Sequence, residues 1–270
     1  MSLTAAASGN PVPKLKLDQS SGNTLNSSQF TAMCWAYHTG GTADSYQDII
    51  SLRDSTIGGG ASDDQYIGMG THVVSAVRVV NLGDVDTDAD STITIPDNVW
   101  FHYTMVGEKV PDSAPAPTQR VRLIGYLNGA EAVRSADTVM RPPIFPDTDC
   151  WVQFFNSRSS ETDAASVWIG SVAAIKIWNN IALTPEEIMR EMQSYMPVRT
   201  RDIWACLPLI NKTSAGYNYY GSNFTVQGAS FSDGTLDPPG VAWDYPDAKR
   251  HKALIVPPSL IGPFPTYLRI

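Results

Sequence analysis

Trp168-Ile169-Gly170-Ser171-Val172-Ala173-Ala174-Ile175-Lys176-Ile177-Trp178-Asn179-Asn180-Ile181-Ala182-Leu183-Thr184-Pro185-Glu186-Glu187-Ile188 is the most informative stretch of the chain. Its first half belongs to a run rich in Val, Ile and Trp, broken only by Gly170, which predicts a long strand over residues 166–178. Its second half opens a helix. Thr184 can cap it, Pro185 suits the first helical position because the missing N–H would be unpaired there anyway, and Glu187 can reach back to the Thr184 amide to complete a T-x-x-E box. Ile188, Met192 and Tyr195 then recur at helical spacing, while Glu186, Arg190 and Gln193 face water. The helix is therefore expected over residues 185–196, with Pro197 as its stop.

Outward from this block the chain reads as strands. Leu15 and Leu17 alternate with Lys14, Lys16 and Asp18, and Phe30-Thr31-Ala32-Met33-Cys34-Trp35-Ala36-Tyr37-His38 forms a central strand stopped by Gly40-Gly41. Further strands are expected at residues 47–53, 65–69 and 73–80, divided by Gly58-Gly59-Gly60 and by Gly70. Over residues 98–106, Trp100, His102, Thr104 and Val106 share one face and Phe101, Tyr103 and Met105 the other, as in a strand covered on both sides. Residues 120–127 run into Asn128-Gly129, the strongest hairpin signal present, because a type I′ turn needs positive φ at both central positions. Residues 131–134 would return as the partner, and strands at 150–155, 202–209 and 223–227 follow.

In this order the segments resemble the laminin-G-like, concanavalin A-like jelly roll. Phe30 to Ala36 is similar to that family's first long strand, in which an aromatic residue precedes a Trp by four or five positions. Trp100-Phe101-His102-Tyr103-Thr104 resembles its W-x-H strand, Arg122 to Gly129 its Asn-Gly hairpin, and Trp168 to Ile188 its closing strand and capped helix. The resemblance covers about residues 15–196 and implies an all-β antiparallel sandwich with one short helix. Beyond Thr200, Ile203-Trp204-Ala205-Cys206-Leu207-Pro208-Leu209, Asn223-Phe224-Thr225-Val226-Gln227-Gly228-Ala229 and Asp237-Pro238-Pro239 resemble the tail region of such domains in tailed-bacteriophage structural proteins. There a strand returns to the sheet and a Pro-rich arm leaves. Lectins, hydrolases, adhesion modules and virion proteins share this fold, so it names no chemistry.

Composition narrows the partners. The 270 residues suffice for one large all-β domain, and 19 Lys and Arg against 27 Asp and Glu give a formal charge of −8. Such a surface repels phosphate backbones and anionic headgroups, so neither nucleic acid nor membrane is expected. With 17% charged residues, 20 Gly and 19 Pro, a helical bundle is excluded. No run approaches the roughly 18 to 20 apolar residues of a membrane span, and a secretory signal is not expected from the first residues. Cys34, Cys150 and Cys206 lie in apolar segments without metal-ligand spacing and read as small buried hydrophobes of a reducing compartment, with one disulfide left open.

Catalytic sets are incomplete. Jelly-roll glucanases use E-x-D-x-E on one strand face, whereas Glu161-Thr162-Asp163 continues to Ala165 and Asp147-Thr148-Asp149 to Trp151. There is no G-x-S-x-G, no HExxH and no phosphate-cradling loop; His38, His72, His102 and His251 stand in unrelated contexts, and His102 reads as a packed sheet histidine. Asp84, Asp86, Asp88 and Asp90 alternate as calcium ligands do. An EF-hand would need Gly and Glu where Ala89 and Ile95 stand, so a solvated acidic loop is expected and another cation site stays open. Neither a cofactor nor an enzymatic activity is expected.

Two sets of apolar residues remain as binding candidates. The reading divides the chain into an N-terminal arm (1–13), a jelly-roll domain (14–240) and a Pro-rich C-terminal arm (241–270). Trp243, Tyr245, Leu254, Ile255, Phe264, Tyr267 and Leu268 are too many large apolar groups to leave in water, so this arm is expected to dock on its own domain, a second copy or another protein. Tyr217, Tyr219 and Tyr220 lie in an Asn/Gly-rich loop, where they could stack on sugar rings, meet a protein neighbour or cover their own sheet edge. The leading expectation is a non-enzymatic virion protein of a tailed phage, a capsid decoration or head-surface protein made in the host cytoplasm. Its arms would hold neighbouring virion proteins and further copies. The alternative is a carbohydrate-binding lectin module, and the third reading a diverged glycoside hydrolase.

Overall fold

In chain order the strands are β1 (Leu3–Ala5), β2 (Lys14–Asp18), β3 (Phe30–His38), β4 (Tyr46–Asp54), β5 (Gln65–Val74), β6 (Val77–Asp84), β7 (Asp88–Thr94), β8 (Trp100–Lys109), β9 (Val121–Leu127), β10 (Ala130–Arg134), β11 (Cys150–Phe154) and β12 (Gly170–Asn179). The helix α1 (Pro185–Glu191) follows, then β13 (Ile203–Leu207), β14 (Thr225–Gln227) and β15 (Ser232–Asp233). The computed structural model describes residues 3–5, 14–18, 25, 29–40, 46–54, 65–74, 77–84, 88–110, 121–135, 150–155, 168–209, 211–227, 231–234, 237–239 and 241. None of its helices is long and apolar enough to cross a membrane, among the described residues.

The strands pair antiparallel into two sheets. The first runs β10-β9-β8-β3-β12-β1-β15, with β13 also on β12; the second runs β14-β2-β11-β4-β5-β6-β7. Alternation along β3 and β8 sends Ala32, Cys34, Phe101, Tyr103 and Met105 inward, where they join Leu52, Met69, Leu82 and Phe154 of the facing sheet in one buried cluster. Fully burying each large side chain of this kind contributes about 1.5 to 3 kcal/mol. This is the sandwich expected from the strand spacing and the jelly roll that the family resemblance implies.

The other face of the first sheet is covered as well. Met33, Val106, Ile124, Tyr126 and Trp178 lie beneath Leu183 and Ile188, and a neighbouring cluster gathers Trp35, Ala173, Ala174, Tyr195 and Val241. That is why β8 is bulky on both sides. The helix starts as expected: Thr184 Oγ1 accepts from Glu187 N at 3.3 Å and Glu187 Oε2 from Thr184 N at 3.0 Å. It stops at Glu191 instead of Met196. Gln193 and Ser194 donate to Arg190 and Glu191 carbonyls three residues back, a tightened exit that lets Tyr195 turn down into its cluster.

A bulge in β12 explains a buried cation. Pairing with β3 shifts register between Ala173 and Lys176, and Ala174 takes φ 50°. Val172 faces the core before the bulge, and Ile175 and Ile177 face it afterwards, so Lys176 is delivered to the outer face under α1. There its Nζ donates to Glu191 Oε2 at 2.9 Å and to the Glu191 carbonyl at 2.7 Å. The same carboxylate accepts from Val198 N (3.0 Å) and Arg199 N (2.6 Å), tying helix, following loop and sheet together.

The hairpin forms as read, with Asn128 at φ 52° and Gly129 at φ 82°. Asn128 does more than turn: its side-chain oxygen accepts from His102 N and its N–H donates to His102 O, both at 2.8 Å. A Cβ on Gly129 would collide with Met189 of the helix above.

Other expectations shift. Gly70 is not a turn but lies inside β5, where a Cβ would strike the Gln47 carbonyl beside a register shift in β4, so the strands expected at 65–69 and 73–80 become β5 and β6. The strand expected from residue 166 begins at Gly170. Residues 3–5, expected in a free arm, pair with both β12 and β15. The acidic run is not one solvated loop: Asp84 ends β6, while Asp88 and Asp90 belong to the polar edge strand β7. Charge on an edge discourages further strand pairing.

Candidate functional site

The tyrosine loop is built by amides. Asn211 Oδ1 accepts from Ser214 N at 2.9 Å and from Ser214 Oγ at 3.0 Å, capping a single 3-10 turn, after which Tyr217 N donates to Ser214 O and Phe224 N to Gly216 O. Asn218 is the buried peg. Its Oδ1 accepts from Cys206 N at 2.9 Å and from Tyr220 N at 3.2 Å, its Nδ2 donates to Ser222 O, and its own N–H donates to Asn223 Oδ1. Tyr219 N completes the attachment to β13 by donating to Cys206 O at 3.1 Å.

This frame sorts the three tyrosines. Tyr217 and Tyr220 point out, 49% and 38% exposed. Tyr219 turns down onto the Trp35–Tyr195 cluster and supports Tyr217 edge-on, with ring centroids 4.8 Å apart and an interplanar angle of 83°. One ring thus covers the sheet and two face water. Burial raises the Tyr220 hydroxyl above its ordinary pKa, reinforced by Cys206 and Glu191 nearby, so it stays a neutral donor. Because the loop is held by buried bonds, it offers its rings without ordering first. Asn218→Ala is expected to lose about 1 to 3 kcal/mol by stranding buried N–H groups and to blur the loop, read as a lower urea midpoint and faster amide exchange at Cys206 and Tyr220.

A second aromatic group lies on the same face and escaped the sequence reading. Tyr37 and Trp100 are register partners on β3 and β8, ring centroids 5.5 Å apart. Trp100 packs on the same cluster as Tyr219, and its indole N–H has no acceptor among the described residues. The signal lies in strand parity: Tyr37 shares a face with Trp35, and Trp100 shares one with His102, Thr104 and Val106.

The titratable groups are committed elsewhere. His38, fully buried, sets Nδ1 2.7 Å from Asp97 Oδ1 and Nε2 2.8 Å from Gln47 Oε1. Burial, with Arg78 close by, lowers its pKa despite these partners. His102 is lowered to about 3, by burial and then by Lys176. Asp90 is held by His72 at 2.8 Å and Asn81 at 2.9 Å. Cys34 and Cys206 are free buried thiols; burial raises the first and pushes the second up to about 12. Among the described residues no three His, Cys, Asp or Glu side chains converge on a metal position. Asp86, Glu161, Asp163 and the arm candidates Trp243, Tyr245, Leu254, Ile255, Phe264, Tyr267 and Leu268 lie outside the described residues. Val241, the last described residue, is seated in the outer cluster.

No family model and no curated protein matches the sequence. Solved structures do match the fold. A native heptameric SAP-like pentraxin from Limulus polyphemus aligns with a TM-score of 0.55 at 14% identity, over 87% of this chain and 95% of that one. A candidate carbohydrate binding protein from Bacteroides ovatus aligns with a TM-score of 0.58 at 13% identity, over 90% of this chain and 62% of that one. The chain therefore spans less than two thirds of the Bacteroides protein's length. At such identities the likeness is one of fold, and in fold the chain is an antiparallel jelly-roll sandwich.

Proposed function

We propose that the chain is a non-catalytic carbohydrate-binding module that engages sugar through the outward rings of Tyr217 and Tyr220. The observation that carries this reading is a pair of exposed tyrosines on a loop fixed by buried Asn218. Aromatic faces attract the C–H side of a sugar ring while phenol and amide groups meet its hydroxyls. The fold likeness to a candidate carbohydrate binding protein supports the same reading. This reading gives no proton-transfer role to His38, whose two ring nitrogens are engaged, or to His102, which is buried and held neutral. The virion reading rests on the expected lack of an export signal and of a catalytic set, on the resemblance beyond Thr200 and on terminal arms whose C-terminal candidates lie outside the described residues; no finding favours it over the lectin reading.

The test is a glycan array probed with the wild-type chain and with Tyr217→Ala/Tyr220→Ala. Two stacked rings at about 0.5 to 1.5 kcal/mol each predict a loss of roughly 5- to 150-fold, with the far-UV and near-UV circular dichroism unchanged. An array without a reproducible hit, or hits indifferent to the double substitution, would remove the proposal.

A further inference from the structure

The carbohydrate reading leaves the Tyr37–Trp100 pair without a role. Both rings are half-buried and belong to the outward face, since Ala36 and Phe101 beside them point into the core. Asn98 stands at their rim, exposed, held at φ 60° by its N–H on the His38 carbonyl (2.8 Å), with its side-chain oxygen 3.5 Å from the Tyr37 hydroxyl. Asp97, which precedes it, is turned to His38 instead, with Oδ1 2.7 Å from His38 Nδ1. Two rings with an amide at their edge present the same chemistry as the tyrosine loop: apolar faces for C–H groups and polar atoms for hydroxyls.

The two aromatic groups share a support. Trp100 and Tyr219 pack against one cluster, formed by Trp35, Ala173, Ala174, Tyr195 and Val241. From β8 to the loop the order is β8, β3, β12, β13 and then Tyr219, bonded to Cys206 of β13. Four strand spacings of about 4.8 Å give roughly 19 Å, wider than one sugar ring. A net charge of −8 opposes an anionic chain.

Resting on the carbohydrate reading, we propose that the site is bipartite, with Tyr37, Asn98 and Trp100 binding a more distant unit of the same uncharged oligosaccharide that Tyr217 and Tyr220 hold. Isothermal titration of the whole chain with maltose-, cello- and N-acetylchito-oligosaccharide ladders, from monosaccharide to hexasaccharide, tests this. Affinity for the ladder that binds should climb by tenfold or more with length. Trp100→Ala and Tyr37→Ala should each remove most of that gain while leaving short-saccharide affinity in place, and Trp100→Phe should restore part of it. Tyr217→Ala should weaken every length. Near-UV circular dichroism checks that the variants stay folded. Length-independent affinity, or a length gain untouched by the Trp100 and Tyr37 substitutions, overturns the bipartite site and leaves carbohydrate binding standing. Failure of every ladder to bind overturns both.

Discussion

Lys176→Ala is expected to remove about 3 to 5 kcal/mol of folding stability, the range for breaking one side of a buried ion pair. Lys176 and Glu191 are only 1% and 2% exposed, so the carboxylate left behind would be desolvated and without its cation. Burial lowers the Lys176 pKa, and Glu191 opposes that shift, which marks the pair as interdependent. Replacing both by apolar groups of similar size, Lys176→Met with Glu191→Leu, removes the charge problem. It still deprives Val198 and Arg199 N–H of their acceptor, so recovery should be partial. Urea unfolding of the three chains measures this directly. A loss below about 1 kcal/mol for Lys176→Ala would mean that the apolar contacts of Leu183 and Ile188 hold the helix unaided.

Acid should unfold the protein through His102. Its ring packs edge-on against Trp35 with centroids 5.3 Å apart, sets Nδ1 3.4 Å from Thr104 Oγ1 and feels the Lys176 charge. Its pKa falls from the ordinary 6.5 to about 3. Between these values the unfolded chain binds the proton and the folded chain does not, so stability declines as pH drops through this window. The slope approaches 1.4 kcal/mol per pH unit, about 4 to 5 kcal/mol in all. His38, also lowered, adds in the same direction. So do Glu187 and Glu131, whose carboxyls are held low by the Thr184 amide and by Arg134, and whose contributions fade as they protonate. His102→Gln should therefore flatten the decline without abolishing it. Unfolding midpoints of both chains, measured from pH 7 to pH 3.5, would show the difference; parallel curves would contradict the assignment.

Much of the architecture was legible because local signals agreed with the global fold. Thr184 and Glu187 had one sensible use, Asn128-Gly129 demanded one turn, and the two bulky faces of residues 98–106 required cover on both sides. What sequence patterns missed arose from tertiary contacts. The register shift beyond Ala173 breaks the period of two that a strand reading relies on, and so conceals that Lys176 meets Glu191. Helical spacing extended the helix past Glu191, whose carboxylate is spent on β12 and on the next loop. Polar β7 and the three-residue β1 carry too little apolar pattern to register as strands.

The candidate site was half visible. A tyrosine cluster in an Asn-rich loop drew notice by composition, but only Asn218 and the Tyr217–Tyr219 edge contact decide which rings face water. Tyr37 was overlooked because in sequence it is simply the end of a core strand; opposite Trp100 it becomes part of a surface.

Ring resonances of the tyrosines, followed by NMR while the chain is titrated with the oligosaccharide ladders, test the central claim most directly. The account predicts saturable shifts at Tyr217 and Tyr220, none at core Tyr103, and an unaltered saccharide at the end of the titration. Silent tyrosine rings, or sugar cleaved during the experiment, would contradict it.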